Sequence, residues 1–252
     1  GHDNITRPWL LSGWEVSDDL RSWTLRLREG VNWHDGRPFT AEDAAWNVNR
    51  VLDPATGSSI LGLMSGYMLE EVETGETDDD GNPVMTSVLW DANAIEVVDD
   101  LTLRLNLKVA ETAVPEHLFH FPFYMLDPEE GGTYGVGSNG TGPYTLVEHA
   151  VGEMAVLERV PGDHYSGGGY LDRIVLTDLG EDASASLGAL LTEEVDGIYE
   201  LSETQAPMVA NAPHLTVYRA NTALTAVARG KVTQPPFDDP RIMLAMRHAT
   251  DP

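Results

Sequence analysis

Residues 22–54, SWTLRLREGVNWHDGRPFTAEDAAWNVNRVLDP, set a strand, a punctuated turn and a helix in immediate succession. Trp23, Leu25 and Leu27 face one way, and Thr24, Arg26 and Arg28 the other. A period of two with one polar face predicts a half-buried strand. Gly30, Asp35-Gly36 and Pro38 punctuate the turn that follows. Thr40 then opens T-A-E-D, a capping-box spacing with Asp43 where Glu is preferred. Glu42 and Asp43 suit the positive end of a helix dipole. Ala44, Ala45, Val48 and Val51 continue at helical spacing, and Asp53-Pro54 stops the helix.

The His34-Asp35 pair inside this stretch admits three readings: a catalytic dyad, half of a metal site, or a turn. The turn is the expected one. Asp35 can bond backbone amides while Gly36 takes a left-handed conformation, and nothing nearby supplies a nucleophile or a third orienting group.

Charge narrows the function classes. The chain has 252 residues, 42% of them hydrophobic, which suffices for a substantial core in one or two domains. Against 15 basic residues stand 41 acidic ones, a net charge of −26. Such a surface repels nucleic acid and anionic membranes, because binding to either relies on Lys and Arg meeting phosphates. Lys108 and Lys231 are the only lysines; an acid-rich, lysine-poor surface suits a salty medium, where screening relieves self-repulsion. The surface would mildly favour cationic solutes, with the charge local to the pocket deciding. Cysteine is absent, which removes disulfides, thiolate metal sites and cysteine nucleophiles together. No apolar run approaches the length of a membrane span. GHDNITRPWL has no signal-peptide pattern, so Gly1 is expected to follow a processed or trimmed segment.

Further motifs weaken on inspection. ETGETDDDGNPV places Glu76, Asp78, Asp80 and Gly81 at positions one, three, five and six of a calcium loop, but Ser87 stands where the twelfth-position Glu belongs. An acidic hairpin tip is expected instead. His117 and His120 are three apart, without an evident third ligand, and Pro122 interrupts; they read as packing residues. GVGSNG, residues 135–140, matches a dinucleotide fingerprint, yet Pro143 stands where its helix should run.

Hairpins are predicted at AIEVVDDLTLRLNLKVA, with alternating Leu101, Leu103, Leu105 and Leu107, and at YTLVEH with EMAVLERV across Val151-Gly152. SSILGLMSGYMLEEV is expected to be a loop or short helix. YLDRIVLTDLG predicts a strand, Ala183 to Thr192 a helix and Val195 to Tyr199 a second strand, a crossover unit of a mixed sheet. HLTVYRANTALTAVARG supplies one or two more strands, and PPFDDPRIMLAMRHATDP closes with an amphipathic helix.

Taken in order, these segments resemble the family 5 extracellular solute-binding proteins, the dipeptide, oligopeptide and nickel receptors of ABC importers. The resemblance runs through SWTLRLREGVNWHDGRPFTAEDAAWNVNRVLDP, IEVVDDLTLRLNLK, GTGPYTLVEHAVGEMAVLERVPGDHY, YLDRIVLTDLGEDASASLGALLTEEVDGIYEL and PPFDDPRIMLAMRHATD, nearly the whole chain. It implies an α/β (mixed α+β) fold: a type II lobe like that of the periplasmic binding proteins, with a mixed sheet and an inserted strand-rich subdomain. Residues 1–40 and 141–252 would form part of the first lobe and 41–140 the insertion. The family's opening strand and second lobe would fall outside this chain, making it an acidic N-terminal fragment.

The implied function is non-catalytic capture. A peptide-like solute would close between lobes and pass to an ABC permease in the membrane, from a periplasmic or extracellular monomer that needs no cofactor, no metal and no nucleic acid. A nickel chelate, an oligosaccharide or an opine-like solute is the alternative ligand, and a hydrolase using His34-Asp35 the alternative class. The segments that match place Met64 and Tyr67 near ligand, with Asn221 and Thr222 offering polar contacts. The turn reading predicts that His34→Ala lowers melting temperature while leaving ligand binding by the full-length protein nearly unchanged; lost binding in a folded variant would refute it.

Overall fold

The computed structural model describes residues 5–202, 204–210, 212–219 and 229–249. The chain divides into two compact units, Thr6–Val217 and a second comprising Gly1–Ile5 with Tyr218–Pro252. In the second unit the described residues carry one helix, α6 (Pro240–Ala249).

In the first unit the leading sheet has the order β1-β2-β6-β5, built from Leu11–Val16, Ser22–Leu27, Thr102–Asn106 and Ile95–Asp99. All its pairs are antiparallel. The register sets Trp23 opposite Leu105 and Leu25 opposite Leu103, so one face is continuous hydrocarbon. All four side chains are buried. The opposite face carries Glu15, Arg26, Arg104 and Glu96, joined across strands as Arg26–Glu15 at 2.9 Å and Arg104–Glu96 at 3.0 Å. The first pair is exposed and the second partly exposed, and each contributes about 0.2–1 kcal/mol. The alternation visible in the sequence is thus the division between core and water.

α1 (Ala41–Leu52) lies against β5 and β6. Its bounds follow the caps: the Asp43 carboxylate accepts the Thr40 backbone N–H at 2.9 Å, and Asp53 accepts the N–H of Ala55 at 2.8 Å beyond the last turn. Ala44, Val48 and Val51 are buried at helical spacing. α2 (Leu61–Met68) continues the core, then β3 (Leu69–Thr77) and β4 (Pro83–Leu89) form a separate two-stranded arm. At its acidic tip the Asp78 carboxylate accepts the N–H groups of Asp80 and Asn82, at 3.0 and 2.8 Å. α3 (Val114–Phe119) follows β6.

A three-stranded sheet of order β7-β8-β9 uses Tyr144–Ala150, Met154–Arg159 and Arg173–Thr177. After it come α4 (Ala183–Leu191) and a single turn of helix, α5 (Ala206–Val209). The expected crossover is not formed here: Val195–Tyr199 carries bends and irregular backbone, and among the described residues β9 pairs only with β8, antiparallel. Tyr199 is fully exposed and Glu193 takes a positive φ of 61° just after α4, which turns the chain off the sheet. Residues 214–219 carry no strand, and 220–228 lie outside the described residues. The division at 40/41 runs through one sheet, since β2 precedes it and β6 follows it. Among the described residues no helix is long and apolar enough to cross a membrane.

One buried polar side chain ties α1 to the rest. Asn47, with no exposed surface, donates to the carbonyls of Asp43 and Leu126 and accepts the N–H of Leu126, all at 2.9 Å. Asn47→Ala leaves the Leu126 groups without partners and should lower unfolding free energy by about 2–4 kcal/mol in urea titration. Asn49→Ala, on the exposed side of the same helix, should change it by about 0.5 kcal/mol or less.

Candidate functional site

Inside the first unit a concave groove of about 780 Å³ opens beside α1. Half-buried Leu11 and Trp14 of β1 and Leu118 of α3 form an apolar wall, backed by the buried Leu25, Leu27, Val48 and Leu103. The loop from Ser138 to Thr145 forms the facing, polar wall. Four aromatic residues stand at the rim, Trp9, Phe119, Tyr124 and Tyr134, each between 61% and 69% exposed. Pockets that take small molecules share this size and mixture.

The polar wall is held by the turn that the sequence singled out. Asp35 accepts the N–H of Arg37 at 2.9 Å, and Gly36 has φ of 92°, as a tight turn with a left-handed glycine requires. Around it three consecutive carbonyls of the loop are captured by two histidines. Gly140 accepts the His34 backbone N–H at 2.9 Å, Thr141 accepts His164 Nε2 at 2.9 Å, and Gly142 accepts His34 Nε2 at 2.8 Å. A carbonyl only accepts, so His34 carries its proton on Nε2. Its Nδ1 is enclosed without a partner. Gly140 fits because a Cβ there would stand 3.2 Å from the His34 ring.

Outside the histidine lies an ionic clasp. Arg37 reaches Asp35 at 3.0 Å, Asp127 at 2.5 Å and Glu129 at 3.3 Å. Asn139 donates to Asp127 at 2.6 Å and to Asp35 at 3.1 Å. Asp127 is only 2% exposed. Burial raises its pKa, but the Arg37 guanidinium, the Asn139 amide and the Glu129 N–H outweigh burial and hold it below the ordinary 3.8. The same pairing pushes Arg37 up. Nothing in the sequence marks Asp127; Asn139 stands inside GVGSNG, where its use is to bridge two carboxylates.

Met64 and Tyr67 lie elsewhere. With Met68 of α2 and Ile60 just ahead of it they form a face turned into the core, at 0% and 2% exposure, and neither lines the groove. The Tyr67 hydroxyl meets His117 Nδ1 at 3.0 Å, and burial raises the tyrosine pKa. Asn221 and Thr222 lie outside the described residues. Among the described residues no group of three or more His, Cys, Asp or Glu could hold a metal ion.

Comparison with known proteins assigns this arrangement to a class. Residues 6–252 match the family described as bacterial extracellular solute-binding proteins, family 5 middle. The chain belongs to that family of solute-binding proteins. It is 28% identical to the probable peptide ABC transporter periplasmic-binding protein y4tO of Sinorhizobium fredii, over 97% of this chain and 44% of the relative. It is 26% identical to the glutathione-binding protein GsiB of Pectobacterium atrosepticum, over 95% of this chain and 42% of the relative. The structure of NikZ from Campylobacter jejuni in complex with Ni(L-His) matches with a TM-score of 0.73 at 18% identity, over 97% of this chain and 45% of that one, a likeness of fold. The chain thus spans under half the length of these relatives.

The depressed pKa of Asp127 has a definite sign. Its stabilisation is in place above the ordinary carboxylate value of 3.8 and is lost as pH falls through the lower native value. Asp127→Asn should therefore destabilise by about 2 kcal/mol at neutral pH, and the gap to the parent chain should close below about pH 4 in pH-resolved thermal denaturation.

Proposed function

We propose that this chain supplies solute-contacting surface of an ABC-importer receptor, which captures a peptide-like solute and delivers it to a membrane permease from the periplasmic or extracellular side. The observation that carries the reading is the family match across residues 6–252, together with a relative described as a peptide transporter's binding protein. The groove suits that role, having an apolar wall, a polar wall and an aromatic rim but no activated nucleophile. His34 supports capture over hydrolysis, because its Nε2–H is committed to the Gly142 carbonyl and its Nδ1 is enclosed. Asn221 and Thr222 enter the proposal as polar contacts. Met64 and Tyr67 would touch a solute only if the core around α2 opened, so we assign direct contact to the groove walls.

Solute binding to the native state raises melting temperature by mass action, by about 2.7 kcal/mol of stabilisation at a hundredfold excess over Kd. A thermal-shift screen of the full-length protein against di- to pentapeptides, nickel with and without chelators, opines and oligosaccharides, in low and high salt, should show its largest shift with peptides. A shift confined to nickel complexes, opines or sugars would keep the receptor and replace the solute. A folded protein that responds to none would overturn the receptor reading.

A further inference from the structure

Carboxylates are everywhere on this chain except in its groove. Of the 41 acidic residues, none lines the 780 Å³ cavity among the described residues. They collect immediately behind it. Ser138, Asn139, Thr145 and His34 line the groove with one side and, with the other, a second hollow whose wall holds Asp35, Asp127, Glu129, Glu130 and Glu158. The His34–Asn139 partition therefore separates an acidic, hydrated surface from an apolar chamber only a side chain away.

We infer that the groove selects an uncharged, bulky apolar group of its solute, such as an aromatic or branched aliphatic side chain, and excludes cationic ones in spite of the net charge of −26. The inference deepens the receptor reading and rests on it.

An ammonium entering the groove would lose its hydration and meet no carboxylate to replace it, and an unpaired charge in an apolar site is strongly disfavoured. An anion would meet a cation in the lining, Arg7, but the field of the whole chain opposes its approach. A neutral ring can lie against the half-buried Leu11, Trp14 and Leu118, with its polar edge toward the hydroxyls of Ser138 and Thr145. The exposed rings of Phe119 and Tyr134 then cover it.

The test uses the full-length protein and a matched set of naphthalenes. The neutral dye N-phenyl-1-naphthylamine reports occupancy. It is displaced by 1-naphthylmethanol, by 1-naphthylmethylammonium or by 1-naphthylacetate, at 0.1 M and 2 M NaCl. At 2 M salt the surface field is screened within a few ångströms, so what persists is local desolvation.

The expected result is displacement by the alcohol at a tenfold or more lower concentration than by either ion, at both salts. Phe119→Asp, at the exposed rim, should weaken dye binding at least fivefold. Val151→Asp, on the exposed β7–β8 turn outside the groove, should leave it unchanged. The inference is overturned if the ammonium competes as well as the alcohol, if the dye does not bind, or if Phe119→Asp and Val151→Asp behave alike. Each of those results leaves the solute screen of the full-length protein free to stand, so failure here is separable from failure of the receptor reading.

Discussion

Everything on the polar side of the groove depends on one buried carboxylate. Asp127 would be too costly to enclose as an isolated charge, and it is tolerated because Arg37, Asn139 and the Glu129 N–H surround it. These partners come from separate stretches, Arg37 from the turn ahead of α1 and Asn139 from the loop ahead of β7. A carboxylate that must have partners therefore forces two parts of the chain together. The His34 bonds to Gly140 and Gly142 then fix the loop's carbonyls, and with them the placement of its hydroxyls.

The clasp also explains how so acidic a chain keeps an apolar chamber. Among the described residues carboxylates are kept out of the groove by topology rather than by composition. The loop ahead of β7 turns one edge to Leu25, Leu27 and Val48, and the other to the acidic hollow. Asn139 and His34 are well suited to that boundary, because each is polar without carrying an obligatory charge.

Much of the fold was legible because it follows short-range rules. The alternation in SWTLRL and in LTLRLN became β2 and β6, and the Thr40–Asp43 cap and Asp53-Pro54 stop bounded α1 within a residue. The hairpin across Val151-Gly152 also formed where its turn signal stood. Val195–Tyr199 was legible only as apolar and β-prone. Whether such a segment becomes a strand depends on a neighbour to pair with, which no local pattern encodes. The residues of α2 show the same limit: Met64 and Tyr67 could be recognised as apolar and aromatic, but which side of the helix meets the core is set by what packs there.

By itself the sequence determined the family, the strand and helix periods, the turn at His34-Asp35-Gly36 and the large negative charge. Each is written in neighbouring residues or in a simple sum. Tertiary structure alone decided that Asp127 and Asn139 would meet Arg37, that two histidines would bind three successive carbonyls, and that the groove would be free of carboxylates. Those contacts join residues from about twenty to about a hundred positions apart, as His164–Thr141, Arg37–Asp127 and Asp35–Asn139 do. No periodicity reaches that far; only the closing of the chain around its core brings such side chains to hydrogen-bonding distance.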